Sequence, residues 1–157
     1  MFKFIPLKTI LITSLCMSSN WVLANDIDFK LMVVDDEASS IAIMQGDYNA
    51  GLVTSAEDSA NQYIAPFNRC VASVKLKQFE KAEADCTEAI SLLKEIKASR
   101  FKRNELTSFA LSNRGVARFM ANNDTAAIAD FYEASRLDDN EYVSFNLNRA
   151  KQELKLW

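Results

Sequence analysis

Side chains able to do chemistry are scarce in this sequence. Its 157 residues include three cysteines, three glycines and no histidine. Without histidine there is no imidazole general base, no Ser-His or Cys-His dyad and no histidine-containing metal site. Gly46, Gly51 and Gly115 cannot form a phosphate-binding GxGxxG or GxxxxGK loop. We therefore expect a non-catalytic protein with no metal ion and no cofactor.

Two other classes of function stay open as alternatives. A hydrolase that uses carboxylates alone, such as a glycosidase-like enzyme, needs two of them about 5 to 9.5 Å apart in a pocket. Asp85 and Asp130 are the candidates, although they occupy equivalent positions of an internal repeat. A carrier of small ligands would instead need an enclosed cavity.

The first 24 residues have the pattern of a secretory signal. Lys3 and Lys8 precede an apolar stretch over residues 9–17, and the segment closes on Val-Leu-Ala at residues 22–24. This pattern predicts cleavage after Ala24. The alternative is a short membrane anchor, but the apolar run is well below the roughly 20 residues that span a bilayer. We expect an exported protein, located in a bacterial periplasm and without stable membrane insertion after cleavage.

Removal of this leader changes the charge and the cysteine count. It takes two of the 18 basic residues, which leaves 16 against 21 acidic residues and a net charge of −5. An acidic protein is unsuited to general binding of nucleic acid or anionic membranes. Cys70 and Cys86 remain, and an even count in an oxidising compartment predicts a disulfide. A reduced pair of small core residues is the alternative.

The chain also repeats itself. Residues 68–92 align with residues 113–137 at an offset of 45, with ten identities in 25 positions and no gap. Within each copy, apolar residues recur at helical spacing on both sides of a polar turn, which lies near residues 77–78 in the first copy and 122–124 in the second. Such duplication predicts an all-α fold of helix-turn-helix repeats stacked as a short solenoid. Cys70 and Cys86 lie eight residues on either side of Gln78 and should face each other across the first helix pair.

The flanking regions complete this prediction. Residues 141–157 form an amphipathic pattern, and we expect a C-terminal helix that caps the solenoid. Residues 25–59 are interpreted as an N-terminal tether and partial repeat. Residues 29–34 are strand-like in composition but have no partner strand, so we expect them to be extended, with helices around residues 38–44 and after Asp47.

The second copy resembles the tetratricopeptide repeat (TPR) family. The matching residues are Gly115, Ala127, Phe131, Ala134, Leu137, Asp138 and Asn140. The resemblance covers residues 60–156 and implies a TPR-like helical domain over residues 60–157. Departures from the family pattern are Arg69, Ser73, Arg114, Arg118 and Asp139. The offset of 45 exceeds the 34 residues of a TPR, and we place the extra length in a longer second helix through residues 94–98 and in a loop before Asn104.

The resemblance also implies a binding groove. In the family, an asparagine of the first helix faces the concave groove, where its amide both donates to and accepts from a peptide backbone. Asn68, Asn113 and Asn146 would line that groove, with Val116 and Phe119 supplying apolar contact. An asparagine satisfied by water or by a neighbouring turn is the alternative at each position.

Basic residues form one cluster on this acidic chain. They are Arg100, Lys102, Arg103, Arg114 and Arg118. Such a patch would suit a carboxylate-rich partner, because arginine pairs with carboxylates through two parallel hydrogen bonds; a solvated face is the alternative. Together these features indicate an exported, TPR-like scaffold or adaptor that binds a protein or peptide.

Overall fold

The computed structural model describes residues 28–35, 38–53 and 61–157. Within these ranges all regular secondary structure is helical, as predicted, and comprises seven α-helices. They are α1 (Ser39–Met44), α2 (Tyr48–Gly51), α3 (Ile64–Lys75), α4 (Phe79–Leu93), α5 (Arg100–Met120), α6 (Asp124–Leu137) and α7 (Glu141–Glu153). None of the described helices is long and apolar enough to cross a membrane. The predicted signal peptide falls outside the described residues.

Each long helix packs against the next one along the chain. The pairs α3–α4 and α5–α6 are the two repeat units, α4 joins them by packing on α5, and α7 packs on both α5 and α6. The short helices α1 and α2 cover α3 at the other end. The architecture is therefore the stacked series of helix-turn-helix units that the duplication predicts.

The first helix of each unit ends in the same turn. Lys77 after α3, Asn122 after α5 and Lys155 after α7 adopt positive φ angles of 59°, 61° and 54°. In the first two turns the next N–H, that of Gln78 or Asn123, donates to a carbonyl five residues back, as in a Schellman motif. Because α7 ends in the same way, it corresponds to the first helix of a third unit.

Small residues allow the helices to approach closely. Ala82, Ala117, Ala127 and Ala134 are completely buried between helices. Gly115 faces the ring of Phe131 so closely that a Cβ at this position would lie 2.8 Å from a ring carbon. The repeat's small residue is thus required by packing across the α5–α6 pair.

The extra length of the first unit is not where the sequence analysis placed it. Helix α4 ends at Leu93, so residues 94–98 do not prolong it. Helix α5 begins at Arg100 instead of near Asn104, because the Ser99 hydroxyl accepts a hydrogen bond from the Lys102 N–H and caps the helix start. The additional residues therefore extend the first helix of the second unit.

Cys70 on α3 and Cys86 on α4 face each other across the first unit. Both are buried, their Cα atoms are 5.2 Å apart, and their sulfurs are at a bonding distance of 2.06 Å. The structure therefore permits the bridge, whose formation in the cell stays a prediction.

Candidate peptide-binding groove

Three asparagines occupy the same position on α3, α5 and α7. Asn68, Asn113 and Asn146 each precede the positive-φ residue of their own unit by nine positions. All three side chains have no solvent exposure. An amide side chain buried in this way needs partners for both its oxygen and its nitrogen.

Those partners are provided by the chain's own N-terminal segment. Residues 28–35, which we call the strap, lie along the three helices, and alternate strap residues each form two hydrogen bonds with one asparagine. In each pair the strap N–H donates to Oδ1 and Nδ2 donates to the strap carbonyl. The pairs are Lys30 with Asn146 (2.8 and 2.7 Å), Met32 with Asn113 (3.1 and 2.8 Å) and Val34 with Asn68 (2.8 and 2.7 Å).

The hydrogen-bonding period of two residues is that of an extended strand. The strap runs against the order of the repeats, from α7 at its beginning to α3 at its end. Its bonded groups are main-chain atoms, which every peptide possesses. The asparagines therefore recognise an extended backbone whatever side chains it carries.

The outer two asparagines are themselves fixed by serine hydroxyls. Nδ2 of Asn146 donates to Oγ of Ser112 at 2.9 Å, and Nδ2 of Asn68 donates to Oγ of Ser39 at 2.8 Å. Each of these amides thus has every polar atom engaged. The serines hold the two side chains in the orientation that the strap requires.

Strap side chains make apolar contacts with the helices between these pairs of hydrogen bonds. Phe29 is 7% exposed and lies against Phe119 and Phe131, with ring centroids 5.2 and 5.8 Å away. Val116 belongs to the same buried cluster. The half-buried Leu31 packs between that cluster and the one under α1. Phe29 is therefore the main anchor of the strap.

The ammonium group of Lys30 lies 5.1 Å from the centre of the Phe145 ring. This arrangement is a cation–π contact at a solvent-exposed edge, which contributes about 0.5–1 kcal/mol. The rest of the Lys30 side chain is exposed.

All five residues that the resemblance assigned to a groove thus meet in one place. What the sequence analysis missed is the occupant, because it treated residues 25–59 as a tether with no partner. A usable signal was present: Phe29, Leu31 and Val33 alternate with the residues that the three asparagines bind.

The predicted basic patch does not form as one surface. Arg114 makes two hydrogen bonds to Asp130 at 2.9 and 2.8 Å, and Arg118 bridges Asp130 and Glu83. Lys102 pairs with Glu105 on its own helix. Arg100 and Arg103 remain on the first turn of α5, away from the two paired arginines.

These ion pairs also explain the arginines that depart from the family pattern. Arg69 pairs with Asp85 in the first unit as Arg114 does with Asp130 in the second. Each arginine on a first helix thereby contacts the second helix of its unit through charge where the family uses an apolar side chain. The two carboxylates of the alternative hydrolase are both engaged by arginine.

Asp139 replaces the closing proline of the second unit. Hydrogen bonds from Ser144 and Ser135 lower the pKa of its carboxyl group below the usual value for an aspartate. These bonds join the end of α6 to the first turns of α7. The aspartate therefore positions the helix that carries Asn146.

A cleft of about 420 Å³ lies between the start of α3 and the α4–α5 connection. Tyr63 and Lys102 are among its lining residues. Burial raises the pKa of Tyr63, and the charge of Lys102 opposes this shift.

No group of three Cys, Asp or Glu side chains among the described residues could hold a metal ion.

Two solved protein domains are similar in fold to this chain. The first TPR domain of human RPAP3 superposes with a TM-score of 0.60 at 27% sequence identity, covering 75% of this chain and 87% of that domain. The second TPR domain of human RPAP3, in complex with the HSP70 peptide SGPTIEEVD, gives a TM-score of 0.55 at 28% identity, covering 72% and 88%. The chain has a TPR-like fold. The family resemblance drawn from the sequence is thereby confirmed.

Sequence comparison gives a more limited match. No family model matches the TPR-like chain. RNA polymerase II-associated protein 3 of Xenopus laevis is 35% identical over 92 residues, which cover 58% of this chain and 12% of the relative. The match therefore concerns a small part of that protein.

Proposed function

We propose that this TPR-like protein is an exported, non-catalytic scaffold that binds an extended segment of a partner protein in the groove of α3, α5 and α7. The observation that carries the proposal is the set of three buried asparagines, each bonded to both polar groups of one main-chain residue. A similar TPR domain holds a peptide, SGPTIEEVD. The shared fold and the backbone-binding amides support the same class of ligand here.

The proposed location is the bacterial periplasm. It is supported by the leader pattern of residues 1–24 and by Cys70 and Cys86, whose sulfurs lie at bonding distance. Disulfides persist in exported proteins and are rare in the cytosol of most organisms. Fractionation of the producing cells, with detection of the chain at its full and its cleaved mass, tests the location independently of binding.

The absence of catalysis is part of the proposal. Asp85 and Asp130, the carboxylates considered for a hydrolase, are held by Arg69 and Arg114 in ion pairs between helices. These ion pairs join the first helix of each unit to the second and give the two carboxylates a structural role. This supports a binding protein over a glycosidase-like enzyme.

A peptide selection tests the binding function. A random peptide library is displayed against the exported chain, and a selected peptide is titrated while the side-chain amide signals of Asn68, Asn113 and Asn146 are followed by NMR. These three signals should shift. The amide of Asn122, which is exposed in the turn between α5 and α6, should not. A library that yields no ligand, or a ligand that leaves the three signals unchanged, would refute the proposal.

A further inference from the structure

The groove proposed for a partner is already filled by the strap. We propose that residues 28–35 are a built-in competing ligand, and that the partner is an extended peptide that displaces them. This inference rests on the proposed function, because it takes the groove as the peptide-binding site. It adds that the strap regulates access and that its side chains show what the partner must carry.

Displacement is compatible with how the strap is held. Its main-chain hydrogen bonds to α3, α5 and α7 go to the side-chain amides of the three asparagines, and at its end the Asp35 carboxylate accepts a hydrogen bond from the Ser40 hydroxyl of α1. Asp28 and Asp35 at its ends are exposed, and residues 31–34 are only half-buried. A foreign backbone offers the same N–H and C=O groups, so one extended chain can replace another without leaving an asparagine unpaired.

The fit of the strap is also incomplete. A cleft of about 420 Å³ remains beside it, and its lining includes Leu31, Val74, Val116 and Met120. A ligand with a larger apolar side chain at the Leu31 position would bury more of this surface than the strap does. The helices can thus bind another chain better than they bind their own.

These contacts define the partner by its chemistry. It carries an aromatic side chain for the site between Phe119 and Phe131, and a bulky apolar side chain two residues later for the cleft beside Leu31. It runs from α7 towards α3. The residues between these anchors are unrestricted, since the asparagines bind only their main chain.

Competition within one chain makes a quantitative prediction. If the groove is open only for a fraction of the time, the observed affinity for a peptide falls by that fraction. A substitution that weakens the contacts between the strap and the groove should therefore strengthen peptide binding. Both effects are measured on the same folded chain.

Lys30 is suitable for this perturbation because its side chain is exposed. Lys30→Pro removes the N–H that donates to Asn146, whereas Lys30→Ala removes only the contact with Phe145. A labelled peptide with the sequence of residues 27–37, and the same peptide with Leu31→Phe, are titrated into both variants and the unaltered chain. We expect Lys30→Pro to bind each peptide about tenfold more tightly than Lys30→Ala, the equivalent of one hydrogen bond. The Leu31→Phe peptide should be the tighter ligand of every chain.

A double-mutant cycle separates competition from simple loss of a groove contact. Asn113→Ala weakens the strap and the peptide alike, so in the unaltered chain its effects on the observed affinity should nearly cancel. Combined with Lys30→Pro, which shifts the groove towards its open state, the same substitution should weaken peptide binding more than it does in the unaltered chain, approaching a loss of about tenfold as the groove becomes fully open. A loss of about tenfold in both backgrounds would overturn the competition.

Native-state hydrogen exchange of the unaltered chain gives a test without substitutions. If the strap opens locally, the Lys30, Met32 and Val34 amides exchange at a rate that is insensitive to low denaturant, while amides of α5 follow global unfolding. Exchange of the strap only with the whole fold would make it a permanent part of the structure and overturn the proposal. If light scattering finds dimers, in which the strap of each copy occupies the groove of the other, the proposal that an external peptide is the occupant would also be overturned.

The outcomes distinguish this inference from the proposed function. Peptides that bind the unaltered chain and Lys30→Pro equally well, with shifts at the three asparagines, would refute strap competition and leave the binding function standing. Local strap opening with no peptide bound by either chain would refute the binding function.

Discussion

The two asparagines of α7 offer a matched test of how much one groove asparagine and its hydrogen bonds contribute to stability. Asn146 is fully buried, and Asn148, two residues later, is exposed. Replacement of either by alanine makes the same chemical change on the same helix. Alanine favours the helix by up to about 0.7 kcal/mol over asparagine, and this gain is common to both variants. The difference between them therefore isolates the contacts of Asn146.

Asn146 makes three hydrogen bonds, two with the main chain of Lys30 and one with Ser112. At about 1 kcal/mol net for each bond, Asn146→Ala should lower the free energy of unfolding by about 3 kcal/mol relative to Asn148→Ala. Release of the strap limits this loss, because Lys30 can then bond to water. A smaller loss must therefore be accompanied by faster exchange of the Lys30 amide.

Urea denaturation followed by circular dichroism measures the free energy of unfolding, and hydrogen exchange measures the Lys30 amide. We expect Asn148→Ala to be neutral or slightly stabilising. If the two variants differ by less than 0.5 kcal/mol, which is about the effect of an ordinary surface substitution, and the Lys30 amide exchanges at the same rate in both, the assignment of Asn146 to a backbone-binding site is wrong.

Three further predictions concern the framework that positions the groove. The intact mass of the exported chain should be two daltons below that of the reduced form, and replacement of Cys70 and Cys86 by serine should lower the free energy of unfolding by about 3 kcal/mol; an unchanged mass on reduction would exclude the bridge. Gly115→Ala should destabilise the chain by about 1–3 kcal/mol, because its Cβ would lie 2.8 Å from an aromatic ring, and a neutral result in the same urea assay would contradict this packing. The pKa of Asp139 is lowered in the folded state, so its contribution to stability is present above the unfolded-state value and is lost as the pH falls through the folded-state value. In an NMR titration its midpoint should lie below the usual value for an aspartate and should rise in Ser144→Ala; equal midpoints would show that the hydrogen bond does not act on this carboxyl group.

Much of the helical framework could be predicted from the sequence because it follows from local pattern. The duplicated copies predict the pairs α3–α4 and α5–α6, and the polar turns mark their ends. The repeat-equivalent Asn68 and Asn113, with Asn146 in a similar context, indicate one shared face. Each of these predictions depends on residues that are near neighbours in the chain or that repeat at a fixed offset.

The occupant of the groove could not be predicted in this way. Lys30 and Asn146 are 116 residues apart in the chain, and the strap is held by side-chain amides in place of a partner strand. Residues 29–34 are strand-like in composition, but the described part of the chain contains no second strand. The pairing of Arg114 with Asp130 was missed for a similar reason, since a cluster of basic residues in sequence carries no information about the acidic side chains of the next helix.

At the strap, stability and peptide affinity should change in opposite directions, whereas at the groove stability should fall with little change in observed affinity. A substitution in the strap, such as Lys30→Pro, removes a hydrogen bond between strap and groove that a bound partner does not use. The chain therefore becomes less stable and binds peptide more tightly. A substitution of Asn113 removes a contact that strap and partner share, so the chain loses stability with no gain in observed affinity. Comparison of the change in stability with the change in peptide affinity, for strap variants and for groove variants, therefore shows whether residues 28–35 are a fixed part of the fold or a displaceable ligand of it.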